Sequence, residues 1–85
     1  MRYLVELRPA AVRTLRDLPS SHRRRITGRI DALASNPRPV GVKLLAGPER
    51  LWRLRVGDYR IIYQVADEVL RVLVIRIGNR REVYR

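Results

Sequence analysis

Cysteine and phenylalanine are absent from this 85-residue chain, and histidine, tryptophan, methionine and lysine each occur once. Without cysteine, neither disulfides nor thiolate zinc sites can supplement the core, which suits a reducing cytoplasm. No apolar run approaches the roughly 20 residues needed to span a bilayer. The segment Met1-Arg2-Tyr3-Leu4-Val5-Glu6 lacks signal-peptide architecture and reads directly as a first strand. No cluster of His, Asp and Glu resembles a metal site. Gly41-Val42-Lys43 lacks the glycine spacing of a phosphate-binding loop, so nucleotide hydrolysis has no support. The expectation is a cytoplasmic protein with no membrane segment, no metal and no small-molecule cofactor.

Acidic residues are also scarce: 8 stand against 19 basic ones, for a net charge of +11. Because Lys43 is the single lysine, nearly all the cations are arginine. Arginine grips phosphate with two parallel donors and stacks on bases, where lysine acts as a point charge. A domain this basic attracts nucleic acid or an acidic protein segment. Membrane-surface binding is disfavoured, since no basic amphipathic helix with large exposed apolar residues stands out. The hydrophobic content of 46% nonetheless predicts a folded chain. At this length, residues 1–85 form one domain with a core of marginal size.

Hydrophobic periodicity predicts an α+β fold in which an N-terminal helical hairpin packs on an antiparallel sheet of about four strands. Tyr3 to Leu7 is a strand, and Pro9 suits the first turn of a helix whose stripe is Val12, Leu15 and Leu18, with Ala11. After Pro19, Ser20 or Ser21 can cap a second helix with the stripe Ile26, Ile30, Leu33 and Ala34, which Asn36-Pro37 ends. Arg38 to Arg50 reads as a long irregular connection. Three strands follow: Leu51 to Val56, then Tyr59 to Val65 across a Gly57-Asp58 turn, then the nearly continuous apolar run Val69 to Ile77, expected to be central. Glu82-Val83-Tyr84 adds a short terminal strand.

The last third of the chain writes arginines onto these strands, in Trp52-Arg53-Leu54-Arg55-Val56-Gly57-Asp58-Tyr59-Arg60 and in Gly78-Asn79-Arg80-Arg81-Glu82-Val83-Tyr84. Side chains alternate along a strand, so alternate guanidinium groups share one sheet face. The two segments in neighbouring strands predict a concentrated cationic face suited to a polyanion, RNA first among them. Trp52, Tyr59 and Tyr63 alternate with these cations and are expected to pack the core face.

These residues give the chain a resemblance to the RelE/ParE toxin superfamily, on its RelE-like ribonuclease branch. The similarity rests on the N-terminal strand and helical hairpin, Lys43-Leu44 with Gly47, Arg53 to Tyr63, and Ile77-Gly78-Asn79-Arg80 leading into Glu82-Val83-Tyr84. It covers essentially the whole chain. The resemblance implies a toxin that cleaves mRNA in the ribosomal decoding site and is held inactive by a cognate antitoxin. It implies phosphate-binding roles for Arg60 and Arg80, a C-terminal site tyrosine in Tyr84, and strand cations in Arg53 and Arg55. Asn79 stands where many relatives carry histidine, which removes one candidate proton carrier. Two other readings remain within the superfamily: a non-catalytic inhibitor of DNA gyrase, and a feebly catalytic relative acting mainly through its antitoxin.

RNA cleavage by the 2′-hydroxyl needs a proton acceptor, a stabiliser for the dianionic phosphorane and a proton donor to the leaving oxygen. Arg60 and Arg80 are the natural stabilisers. With His22 alone there is no imidazole pair, and His22 itself reads as a surface residue in a basic run. Tyr84 is either an acid–base group, its phenol made more acidic by nearby arginines, or a stacking or packing residue. Arginine is a poor proton acceptor, so electrostatic support is the role for Arg53 and Arg55. Lys43, Arg50, Arg81 and Arg85 are candidates for RNA backbone contacts, Lys43 being equally a solvated loop residue. Glu82 is a base or, more simply, a partner for Arg80 or Arg81. Arg23-Arg24-Arg25 is a solvated helix face or a ribosomal RNA contact. An acidic amphipathic antitoxin segment completes the expected set of partners.

Overall fold

Pro9 opens the first helix as its sequence predicts, at the position where a missing N–H has no intrahelical partner to lose. The computed structural model describes residues 2–79. Along them run β1 (Leu4–Leu7), α1 (Pro9–Asp17), α2 (Ser20–Ala32), β2 (Lys43–Leu44), β3 (Trp52–Val56), β4 (Tyr59–Ala66), a single 3-10 turn (Asp67–Val69) and β5 (Arg71–Asn79). The strands form one sheet in the order β1-β5-β4-β3-β2. β1 is parallel to β5 and the remaining pairs are antiparallel. The α+β architecture is the expected one, with two departures: the sheet has five strands in place of about four, and it is mixed, because β1 runs parallel to β5 where an antiparallel sheet was expected. The added strand is β2, a two-residue bridge inside the segment read as irregular, too short to show any periodicity. β5 is interior, as expected, with β4 at the centre of the sheet.

Both helices lie on one face. Ala11 from α1 and Ile26, Ile30 and Leu33 from α2 and its end meet Leu54, Val56, Ile61, Tyr63, Val72, Val74 and Ile77 from the sheet. The α2 stripe is therefore the predicted one, and Ala34 is buried with it. The α1 stripe is narrower than expected. Val12 is 43% exposed because Ala11, Leu15 and Leu18, at i, i+4 and i+7, take the core side. The serine cap is not used either. Pro19 is the N-cap, no side chain caps the helix, and the Pro19 carbonyl accepts the Arg23 N–H at 2.9 Å. α2 stops at Ala32, short of Asn36-Pro37, and Pro37 is buried.

Gly28 sits in the middle of α2 on the solvent side, and a Cβ there would meet nothing within 4 Å. Gly28→Ala is expected to stabilise the fold by about 0.5–1 kcal/mol through helix propensity alone. The midpoint of urea unfolding measures it.

The long connection after α2 is tied down by polar contacts. The Tyr63 hydroxyl donates to the Pro37 carbonyl at 2.7 Å inside the core. Arg38 donates to both oxygens of Asp67, at 3.1 and 2.6 Å, and its guanidinium lies 5.4 Å from the Trp52 ring centroid. Tyr3 donates to the same carboxylate at 2.6 Å. Asp67 thus joins the N-terminus, the loop and the end of β4.

The Arg38 hydrogen bonds, with that of Tyr3, hold the Asp67 carboxyl down at about 2. A carboxyl depressed in the folded state contributes stability above its unfolded pKa, near 3.8, and loses it as pH falls toward 2. Wild type is therefore expected to exceed Asp67→Asn in urea midpoint at pH 5. The gap should close between pH 4 and about 2, and shrink in high salt, since the carboxylate is exposed.

Candidate nucleic-acid interface

Leu54, Val56 and Ile61 face the helices, so the residues alternating with them face the other way. Residues paired across antiparallel strands share a face. The register therefore lays two rows on the side of the sheet away from the helices. Nearest the hairpin turn, Arg55 pairs with Arg60, and Arg60 with Gly78. In the next row Lys43 pairs with Arg53, Arg53 with Ile62, and Ile62 with Arg76. Five of these seven positions are cationic and none is acidic. Arg55 directly opposite Arg60 is a like-charge pair, which an isolated sheet disfavours and a bound polyanion reverses.

The hairpin sets this arrangement. Val56 pairs with Tyr59 across the two-residue turn, and Gly57 takes a left-handed φ of +59°, the type II′ requirement at the first central position. Arg60 follows at once on the central strand and is 6% exposed. Gly78 opposite it presents no side chain. Arg55, Lys43 and Arg76 are exposed and Arg53 is half-buried, so Arg60 forms the floor of the patch and the others its rim.

Arg76 reaches this face through a β-bulge. Ile62 pairs with Arg76 but Tyr63 pairs with Val74, leaving Ile75 as an extra residue in β5. Val72 and Val74 are fully buried in the core, and strict alternation would place Arg76 beside them. The extra residue reverses the parity, so Ile77 enters the core and Arg76 faces out. Arg76 is the cation that sequence reasoning missed, its strand having been read as one apolar run. The signal available was an arginine between Ile75 and Ile77.

The predicted cations Arg53, Arg55, Arg60 and Lys43 thus share one face, Lys43 from a strand and not from a loop. Arg50 stands outside the rows. It has a left-handed φ of +54° in the loop before β3 and lines a groove with Trp52, Gln64 and Asp67 at the far end of the hairpin. Arg80, Arg81, Glu82, Tyr84 and Arg85, with the terminal strand expected at 82–84, lie outside the described residues. Trp52, Tyr59 and Tyr63 pack against the helix-side core, as expected.

His22 is exposed and belongs to the opposite side of the sheet. Its Nδ1 lies 3.1 Å from the Tyr59 hydroxyl and its ring stands edge-on to that of Tyr59, with centroids 5.5 Å apart. Arg25 and Asp58 line the same small cleft. Asn79 pairs with Tyr59, so it too sits on the register of the helix side, not beside Arg60.

Chemically, the two rows offer forked donors fixed on rigid strands, suited to the non-bridging oxygens of a phosphodiester and to the extra charge of a phosphorane. They offer no neutral acid or base, since arginine and lysine side chains carry donors only. Proton transfer must come from other groups.

The family model described as ParE toxin of type II toxin-antitoxin system, parDE, matches residues 5–84. The chain is 33% identical to the mRNA interferase toxin RelE of Escherichia coli strain K12 over 87 residues, covering 99% of this chain and 92% of that one. A chain in the crystal structure of the archaeal RelE–RelB complex from Pyrococcus horikoshii OT3 superposes with a TM-score of 0.85 at 32% identity, covering 98% of this chain and 100% of the other. The isolated E. coli RelE toxin superposes with a TM-score of 0.78 at 30% identity, covering 96% and 90%. Sequence and fold agree that this chain belongs to the RelE/ParE superfamily of type II toxin–antitoxin toxins and is RelE-like within it.

Proposed function

We propose that this protein is the toxin of a toxin–antitoxin pair and acts as a ribosome-dependent, metal-independent mRNA endoribonuclease. The observation that carries the reading is the double row of five cations with Arg60 as its floor. The mRNA interferase name of a relative 33% identical over nearly the whole chain supports it. In the reaction the 2′-oxygen forms a bond to the adjacent phosphorus and the bond to the 5′-oxygen breaks, leaving a 2′,3′-cyclic phosphate and a 5′-hydroxyl. Arg60, with Arg80, stabilises the pentavalent dianion, and Arg53 and Arg55 supply the surrounding positive field. Tyr84 is the candidate to move the proton from the 2′-oxygen or to the 5′-oxygen. Lys43, Arg50, Arg81 and Arg85 hold the RNA backbone. A site with strong phosphate binding and few proton carriers suits an enzyme whose substrate the ribosome orients.

The partner follows from charge and from the relatives. Similar proteins are solved in complex with RelB antitoxin, and a net charge of +11 calls for an acidic amphipathic segment across the cationic face. Inducible expression with mapping of mRNA ends tests the activity. Cleavage phased to codons, and dependent on translation, is the expected result. The matched family carries the ParE description, which keeps a second reading in view: inhibition of DNA gyrase without chemistry. Intact mRNA with arrested growth and DNA damage would select that reading.

A further inference from the structure

We infer that Arg76 is an RNA-binding residue of this site, holding the phosphate next to the scissile one on the β5 side. This rests on the nuclease reading above for what the RNA undergoes, but not for the binding itself. The bulge at Ile75 is the register irregularity in the pairing of β4 with β5, and its consequence is the placement of Arg76. Within regular pairing the sequence Ile75-Arg76-Ile77 would set the guanidinium against Val72 and Val74, a burial that is strongly unfavourable for an unpaired charge. The bulge moves it to the outer face at the price of one unpaired residue.

There Arg76 has no carboxylate partner among the described residues, in contrast to Arg38 with Asp67 and Arg71 with Glu6. Its place relative to Arg60 is specific. Arg60 pairs with Gly78, two residues along β5 from Arg76, and with Arg55, two residues along β3 from Arg53. Among the described residues, Arg53 and Arg76 are thus diagonal neighbours of Arg60, each with a Cα about 7–8 Å away. They flank Ile62 from either side. A single strand whose scissile phosphate sits over Arg60 and runs across the sheet passes Arg53 on one flank and Arg76 on the other. Polar phosphate contacts of this kind position the strand without reading its sequence.

The probe is a 2′-O-methyl single-stranded RNA oligonucleotide, which lacks the nucleophile and reports binding alone. Affinity is measured against salt for wild type, Arg76→Ala, Arg76→Lys and Arg55→Ala, with circular dichroism to confirm folding. Arg76→Ala is expected to make the log–log salt slope shallower by about 0.7, which is a loss of about fivefold in affinity at 0.1 M relative to 1 M salt. Arg76→Lys should keep the slope. On programmed ribosomes, Arg76→Ala should raise the toxin concentration for half-maximal cleavage while leaving the limiting single-turnover rate within about twofold. If Arg76→Ala destabilises the sheet, Arg76→Gln is read in its place. A slope unchanged by Arg76→Ala but shallower in Arg55→Ala overturns the role of Arg76 and leaves the nuclease reading intact. A slope unchanged in both removes the cationic face as the RNA surface, and the nuclease reading with it.

Discussion

Arg60→Gln is expected to lower the rate of mRNA cleavage on the ribosome by about 10²–10³-fold, the usual cost of removing one donor aimed at developing charge. The size of the effect follows from where Arg60 sits. It is on the central strand, the second residue after the hairpin turn, and almost wholly covered, so its guanidinium is placed before substrate arrives. A preorganised charge stabilises the phosphorane without reorganisation at the moment of reaction. Glutamine keeps a planar amide donor but is two atoms shorter and loses both the charge and the fork. Arg60→Lys keeps the charge without the fork and should fall between the two. Because Arg60 is buried, both variants need a thermal unfolding curve beside the kinetics. The loss should appear in the limiting rate, with half-saturation little changed, since the interaction strengthens only as charge develops. A folded Arg60→Gln protein cleaving within threefold of wild type would remove Arg60 from the reaction.

The largest expected effect on stability belongs to Tyr63, which is fully buried and spans from the sheet to the loop after α2. Tyr63→Ala should cost about 3–5 kcal/mol, as truncation of buried aromatic side chains does. Domains of this kind are stable by only about 5–15 kcal/mol in total, so this variant is near or past unfolding. Tyr63→Phe isolates the hydroxyl. It leaves the Pro37 carbonyl without its donor and should cost about 1–3 kcal/mol. Urea unfolding at pH 7 separates the two. Burial also pushes the Tyr63 hydroxyl up to about 12. A raised pKa in the folded state means a contribution that is whole below pH 10 and lost as pH rises toward 12, and Tyr63→Phe should lack that alkaline loss. Equal stabilities of the Phe variant and wild type at pH 7 would show that the carbonyl finds another donor.

The shared face of Arg53, Arg55 and Arg60 was more legible than the full strand count. Arg53, Arg55 and Arg60 were legible as one face because β3 alternates apolar and cationic residues up to a turn marked by glycine, and the two-residue turn carries that parity across to Arg60. The α2 stripe was legible because Ile26, Ile30 and Leu33 repeat at helical spacing over a helix of 13 residues. Val12 misled because α1 is short, and Ala11 and Val12 compete for one core position. Lys43 read as a loop residue because its strand exists only by pairing with β3, a long-range fact with no local pattern. Arg76 was hidden for a related reason: a bulge belongs to a pair of strands, and a single strand read alone shows only an interruption. The serines after Pro19 followed a real preference for caps, which the fixed geometry of the proline overrode.

The proposed function has the guanidinium groups on the outer face of the sheet hold and activate an RNA phosphodiester. Its most direct test is to mix the purified protein with ribosomes carrying an mRNA in the decoding site and to identify the new ends. The expected result is cleavage leaving a 2′,3′-cyclic phosphate and a 5′-hydroxyl, lost in Arg60→Gln and restored in part by Arg60→Lys. Intact mRNA together with inhibition of gyrase supercoiling by the same preparation would contradict it.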